Sequence, residues 1–504
     1  MSSVLSRFGK STLFVLFSLM YSTLIYAFPE VFKVGVVISV VFFLTFYSVF
    51  GKNMFIALFS IFILASQFSL PGKYYSFELV SVDRYYYELL PDGIFETFGL
   101  VISDVFAFWL LIFFVRKITQ MLAQKKRKIN QFSLSKNIYL FPFLIYFLFS
   151  LYSSLYFSFD SFFSVFTFFQ YSKLLISIIS VMYILSFGGR EKKYFYLLIG
   201  SIVIFQCCLG LVQFTSSLPI ERLDEKLIFS TSVPEENLFF PRVEGTFYSG
   251  NDFAFVLLKL TLLVLPVAFV YRNNLMVKIM ALLVLVSLIL SQSRTIWMIT
   301  VLIGIFTFIQ IQRKFFMYFQ VRLTLRQMLY LLALGIVISL IVVPRVFLTQ
   351  YFFSTGGGGT LRLTMMKEAI EVITYSPLFG FGTNADRYAM FENFANGYIR
   401  TFPFTVHNFY LRMMLQSGLI ATIAFFLPFF LIIRKYFLYI NQKYFVINWN
   451  KFEYLSFSVS VAGLFTALLY YIVQPSNERM DFVFLGLIIG SALYNVKKIE
   501  MRFK

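Results

Sequence analysis

Long apolar runs separated by short polar segments dominate the chain, at residues 12-28, 33-50, 53-70, 97-115, 138-157, 163-187, 194-215, 251-270, 275-290, 295-312, 328-347, 408-433, 452-473 and 482-496. A helix needs about 20 apolar residues to cross the bilayer hydrocarbon, and most of these runs are close to that length. Those at 275-290 and 482-496 are shorter and predict tilted or incomplete helices. The pattern predicts an all-α polytopic membrane protein with about fourteen transmembrane helices, twelve being the lower alternative. It divides the chain into N-terminal helices at 1-215, a core at 216-433 that carries long loops, and C-terminal helices at 434-504.

Composition narrows the class further. Hydrophobic residues make up 59% and charged residues 13%, against about 45–50% and about 25% in soluble domains. A disordered chain is excluded, and a water-soluble enzyme fits poorly. The net charge of +19 invites nucleic-acid binding, but its placement removes that reading. With the N-terminus in the cytoplasm, the inner segments hold 27 of the 43 basic residues and, of the 24 acids, only Glu191, Glu453 and Glu500. That leaves +24 inside against −5 elsewhere, the positive-inside signature of a multi-pass protein of the cytoplasmic membrane. Both termini then lie in the cytoplasm, and the partner of the basic excess is anionic membrane lipid. The stretch after Arg7 and Lys10 is read as a retained first span, not a signal peptide. Cys207 and Cys208 are adjacent in an apolar run and carry neither a disulfide framework nor a redox motif.

Three outer loops are long, at 71-96, 216-250 and 348-407. In the third, apolar residues at 361, 365, 366, 369, 372 and 373 recur at helical spacing. They predict an amphipathic helix lying along the outer interface.

Polar residues inside apolar helices are expensive, so they are the candidates for chemistry. Asn408, Arg412 and Gln416 recur every fourth residue and form one stripe, with His407 beside its outer end. Asn251 and Lys259 share a face of another helix, and Arg294 marks the mouth of a third. Lys173 and Asp104 lie in the outer halves of two more. These groups predict a cationic cavity open to the outer side, suited to an anionic amphiphile. The alternative for Arg412 and Lys259 is that each pairs with a helix-bound acid. The Gly run at 356-359 reads as a hinge, and Gly380-Phe381-Gly382 as a turn. One histidine leaves no His-rich metal site, so neither a metal nor a cofactor is expected.

In order along the chain stand PRVEGTFYSGNDFAF, SQSRTIW, LRLTMMKEAI with PLFGFGTNADRY, and HNFYLRMMLQSGL. This ordered set, over about residues 240 to 420, resembles the O-antigen ligase and Wzy-type polymerase superfamily. Its pattern falls on Arg242, Gly245, Phe247 and Asn251, then Ser293 and Arg294. It continues on Arg362, Gly380 and Gly382, and closes on His407, Asn408, Leu411 and Gly418. The resemblance implies a metal-independent glycosyltransferase of the GT-C-like kind, with its large extracytoplasmic loop before the third-last helix. Its implied substrate is an undecaprenyl-diphosphate-linked oligosaccharide. His407 would serve as catalytic base with Glu244 as its substitute, and Arg242, Arg294 and Arg362 would hold the diphosphate. Asn251, Asn408, Arg412 and Lys259 complete the expected binding set. The implied activity is polymerisation of lipid-linked repeat units into surface polysaccharide, with a flippase and a chain-length regulator as partners. The alternatives are a ligase, which transfers the glycan to lipid A-core or another acceptor, and a lipid-linked oligosaccharide flippase. The one-sided placement of the polar stripes and loops weighs against the flippase.

Overall fold

In hydrocarbon a backbone amide finds no water, so an apolar run satisfies its N–H and C=O groups by folding as a helix. The computed structural model describes residues 9–27, 32–50, 53–68, 77–80, 98–123, 139–159, 161–187, 189–216, 243–247, 249–315, 358–394, 397, 399, 405–440, 450–474 and 478–502. Every apolar run predicted above coincides with helix there except 328-347, which lies outside the described residues. In chain order the helices are α1 (Lys10–Ala27), α2 (Phe32–Val49), α3 (Met54–Ser66), α4 (Ile102–Ala123), α5 (Phe141–Tyr156), α6 (Ser161–Tyr171), α7 (Lys173–Phe187), α8 (Gly189–Ser216), α9 (Gly250–Val270), α10 (Leu275–Leu290), α11 (Arg294–Phe315), α12 (Gly358–Ile373), α13 (Asp386–Asn393), α14 (Phe409–Ile440), α15 (Lys451–Val473) and α16 (Glu478–Arg502).

Among the described residues, eight segments are long and apolar enough to cross a membrane: α1, α2, α6 with α7, α8, α9, α14, α15 and α16. Helices α3, α5 and α10 are apolar but shorter, as is the apolar stretch Arg294–Gln310 of α11. The protein is a polytopic α-helical membrane protein. Two details depart from the sequence reading. A short antiparallel ribbon, β1 (Phe77–Val80) and β2 (Phe98–Leu100), pairs Phe77 with Leu100 at the foot of the first outer loop. The run at 163-187 is also two helices, because it turns at Ser172 between α6 and α7.

The bundle has two chemically different ends. At one, Lys498 pairs with Glu453 at 2.5 Å and Lys435 with Glu500 at 3.6 Å, while Lys192 lies 4.5 Å from the centre of the Phe452 ring. These contacts gather the starts of α8 and α15 with the ends of α14 and α16, all segments expected on the cytoplasmic side. At the other end, Asn408 Nδ2 donates to Ile472 O at 3.0 Å, and Tyr470 OH donates to Asp252 Oδ1 at 3.0 Å. The starts of α9 and α14, which carry two of the motifs, are thereby tied to the end of α15. Between the ends, Gly486 and Gly490 of α16 bring its backbone close against Leu174 and Ile178 of α7, as small residues do where helices cross without a hydrophobic drive.

The described residues of the 348-407 loop form a cap with its own core. Ala369, Val372 and Ile373 of α12 pack with Ala389, Met390 and Phe391 of α13 and with Leu415 of α14. The predicted amphipathic helix therefore exists, but its apolar face is spent on protein contacts, which corrects the expectation that this face lies on the membrane.

Helix α14 is broken. Gly418 adopts φ 77° and ψ 176°, and the loop 377–383 enters the gap. Phe381 N–H donates to Leu415 O at 2.7 Å, Gly382 N–H to Gln416 O at 2.9 Å, and Leu419 N–H to Pro377 O at 2.8 Å. Ser153 and Ser154 of α5 accept from the N–H groups of Gly382 and Thr383, at 3.0 and 3.1 Å. Backbone groups freed by the break are thus satisfied by the loop, which permits irregular chain inside a membrane bundle. A Cβ on Gly380 would lie 2.6 Å from Leu415 O, so two glycines make the insertion possible.

Candidate functional site

The segment 243–247 is held at the end of the bundle by side chains, not by secondary structure. Gln213 Oε1 accepts from the N–H groups of Glu244 (3.2 Å) and Gly245 (2.8 Å), and Gln213 Nε2 donates to Gly245 O (2.8 Å). Val243 N–H donates to Leu290 O at 3.3 Å, which docks the segment on the turn that leads to Ser293 and Arg294. Gly245 has φ +60°, and a Cβ there would lie 2.5 Å from Gln206 Oε1 and 2.6 Å from the Phe253 ring. Only glycine fits that turn. Phe247 is buried and fixes the far side. Arg242, expected to bind the diphosphate, lies outside the described residues.

The stripe on α14 forms as the spacing predicts, but it faces protein. Asn408 caps the helix: its Oδ1 accepts from Leu411 N–H at 3.0 Å while its amide bonds Ile472 O. Arg412 and Gln416 converge on Asp386, at the start of α13. Arg412 Nε lies 3.4 Å from Asp386 Oδ2, Gln416 Nε2 donates to Asp386 Oδ1 at 2.8 Å, and Arg412 Nη2 donates to Asn384 Oδ1 at 3.3 Å. Asp386 is 1% exposed and Arg412 3%. The cation expected in an open cavity is matched by an acid from the cap.

Two further cations behave alike. Lys259 is fully buried and pairs with Asp481 of α16, whose Oδ2 accepts from Tyr471 OH at 2.5 Å. Lys173 pairs with Asp104 at 2.7 Å. The expectation that Lys259 and Lys173 face a cavity is thereby corrected, since each meets an acid on another helix. Removing a charge from water is compensated only by a close partner, and each helix cation here has one on another element.

Three candidate residues at helix starts are partly exposed. Arg294 begins α11 after Ser293, whose hydroxyl caps that helix through Ile296 N–H at 3.4 Å, and it is partly exposed. Asn251 is partly exposed on the first turn of α9. His407 is partly exposed, and among the described residues nothing hydrogen-bonds to its buried Nδ1. Burial and then the neighbouring Arg362 guanidinium push its pKa down to about 3, against a weaker upward pull from a Thr405 backbone hydrogen bond. The Arg362 guanidinium thus lies near enough to His407 for its charge to favour the neutral imidazole. Among the described residues, no group of three His, Cys, Asp or Glu side chains is placed to hold a metal ion.

Residues 279–426 match the family model described as O-Antigen ligase. No curated protein matches the chain. The matched span runs from α10 into α14 and contains Arg294, Arg362, Asp386, His407, Asn408 and Arg412, but neither Glu244, Asn251 nor Lys259. It is consistent with the O-antigen ligase and Wzy-type superfamily. With the multi-pass helical fold, it supports a membrane protein with a glycan ligase- or polymerase-like role on a lipid-linked glycan.

Proposed function

We infer that the protein transfers a glycan from undecaprenyl diphosphate to an acceptor hydroxyl at the outer face of the cytoplasmic membrane, polymerising lipid-linked repeat units into surface polysaccharide. The observation that carries this reading is a partly exposed His407, its Nδ1 free of described partners, close enough to the Arg362 guanidinium to feel its charge. In the step, the acceptor oxygen attacks the anomeric carbon and its proton passes to His407. The bond from that carbon to the diphosphate breaks, and the diphosphate leaves with the electron pair. Arginines suit the departing phosphate oxygens because their planar fork bonds two at once. Arg362 and Arg294 are the described candidates, with Arg242 as the third. A diphosphate beside Arg362 offsets the positive field that depresses His407, so donor binding itself raises the basicity of the imidazole.

Glu244 is the substitute base. Asn251 contributes a polar amide at the same end, while Asn408, Arg412 and Lys259 support the site from within the scaffold. The matched family description favours a second reading, a ligase that hands the glycan to a different terminal acceptor. Purified protein in lipid nanodiscs, given only lipid-linked oligosaccharide, should yield a ladder of longer lipid-linked products. Transfer only after lipid A-core is added would establish the ligase; donor left intact in both cases would overturn glycan transfer. A flippase and a chain-length regulator are the partners this role calls for.

A further inference from the structure

Thr246 N–H also donates to a side chain, Gln206 Oε1, at 3.2 Å. Gln206 Nε2 donates in turn to Thr246 Oγ1 and to Gln67 Oε1, each at 2.8 Å. The Thr246 hydroxyl donates to Gln67 O at 2.8 Å, and Gln67 Nε2 reaches Ser22 Oγ of α1 at 2.8 Å. Gln67 and Thr246 are fully buried, Gln206 is 1% exposed and Gln213 6%. Three consecutive amides, Glu244 to Thr246, thus donate to glutamine side chains of α8, where a sheet would supply backbone carbonyls.

We propose that Gln206 and Gln213 are positioning residues of the transfer site: they act as a substitute strand that sets where Glu244 and the residues flanking it sit. The proposal rests on the glycan-transfer reading for its consequence, though not for its geometry. Glutamine is suited to the task because one planar amide both accepts and donates, as a peptide group does. Gln206 and Gln213 are seven residues apart, so they project from one face of α8. Their spacing matches the segment, with Gln213 on Glu244 and Gly245 and Gln206 on Thr246. An apolar residue at either position would still fill the space in this apolar bundle. Only the direction of the segment requires an amide. Because Val243 is bonded to Leu290, a shift of the segment is also felt at the turn before Arg294.

Two readouts separate the geometry from the function. The first is amide hydrogen exchange of the full-length protein in nanodiscs. Gln213→Met should raise exchange at Glu244 and Gly245 at least about tenfold, and Gln206→Met at Thr246, with α14 and α16 unchanged. The second is turnover of lipid-linked oligosaccharide, where both variants should lose at least about tenfold in kcat with KM for the donor changed less than about threefold. Tyr436→Phe, which removes a buried hydrogen bond to Ser458, serves as a stability control and should keep its turnover. Gln213→Glu keeps the two accepted bonds and should retain more turnover than Gln213→Met. Unchanged exchange in either variant overturns the substitute strand. Raised exchange with full kcat, or a kcat loss equal to that of Tyr436→Phe, overturns the positioning role. If a methionine variant does not accumulate in the membrane, Gln206→Ala or Gln213→Ala replaces it and is judged by the same exchange and kcat criteria. Wild-type protein that transfers no glycan, yet shows the exchange pattern, would sink the functional reading and leave the strand standing.

Discussion

Arg412 and Asp386 meet inside the bundle, Nε to Oδ2 at 3.4 Å, with almost no exposure of either residue. One belongs to a helix classed as membrane-spanning, the other to the cap outside it. The pair bolts the cap to the helix that His407 and Asn408 immediately precede. Removing one partner leaves a buried charge alone, which typically costs about 3–5 kcal/mol. Asp386→Ala should therefore lower the unfolding midpoint strongly, and Asp386→Ala with Arg412→Leu should recover much of it. Unfolding of purified protein in detergent measures both; a double variant no better than the single would remove the ion pair from the account.

Gly418→Ala and Gly380→Ala should each abolish accumulation of folded protein. A Cβ at Gly418 would overlap Leu378 O and lie 2.5 Å from Phe379 N, and the positive φ resists a side chain as well. Membrane-fraction abundance and monodispersity after extraction report the outcome. Gly9→Ala, where nothing lies within 4 Å, is the matched control and should behave as wild type.

His407→Ala should lower turnover by about 10²–10⁴-fold, the usual contribution of a positioned general base, without loss of membrane insertion. Full activity in the variant would move the base to Glu244.

Acid should act on His407 in a definite direction. Its folded pKa, about 3, lies below the ordinary 6.5, so between these values the unfolded chain takes up a proton at this site and the folded one does not. The contribution of His407 to stability is therefore present above pH 6.5 and lost as pH falls toward 3. Because the chain has a single histidine, the difference between wild type and His407→Gln in unfolding midpoint against pH isolates the effect. In the free enzyme, kcat/KM for the donor should show no acid limb near 6.5. An inflection there that disappears in His407→Gln would mean that the imidazole titrates normally.

Arg294→Lys and Arg362→Lys should each cut turnover at least about tenfold, since an ammonium keeps the charge but loses the bidentate fork. Donor binding and product formation should be measured together; unchanged values in both variants would show that the diphosphate is held elsewhere.

The runs of apolar residues were enough to locate the helices, because a bilayer admits few other ways to satisfy a backbone. Three of the segments expected on the cytoplasmic side, around Lys192, 435–453 and 498–500, meet at one end of the bundle. Helical spacing likewise placed Arg412 and Gln416 on one face and gave α12 its apolar side. What lay opposite those faces was decided only by tertiary structure, since periodicity names a face and not its partner. Asp386, Asp481 and Gln213 could have been noticed as polar residues bordering apolar runs, and Gln206 with Gln213 as a seven-residue repeat. Nothing local joins them to Arg412, Lys259 or Glu244, which lie from 26 to 222 residues away along the chain. The break at Gly418 was equally hidden. A glycine in an apolar helix is compatible with a straight helix, and becomes a gap only when a distant loop, here 377–383, supplies the hydrogen bonds that the interrupted helix gives up.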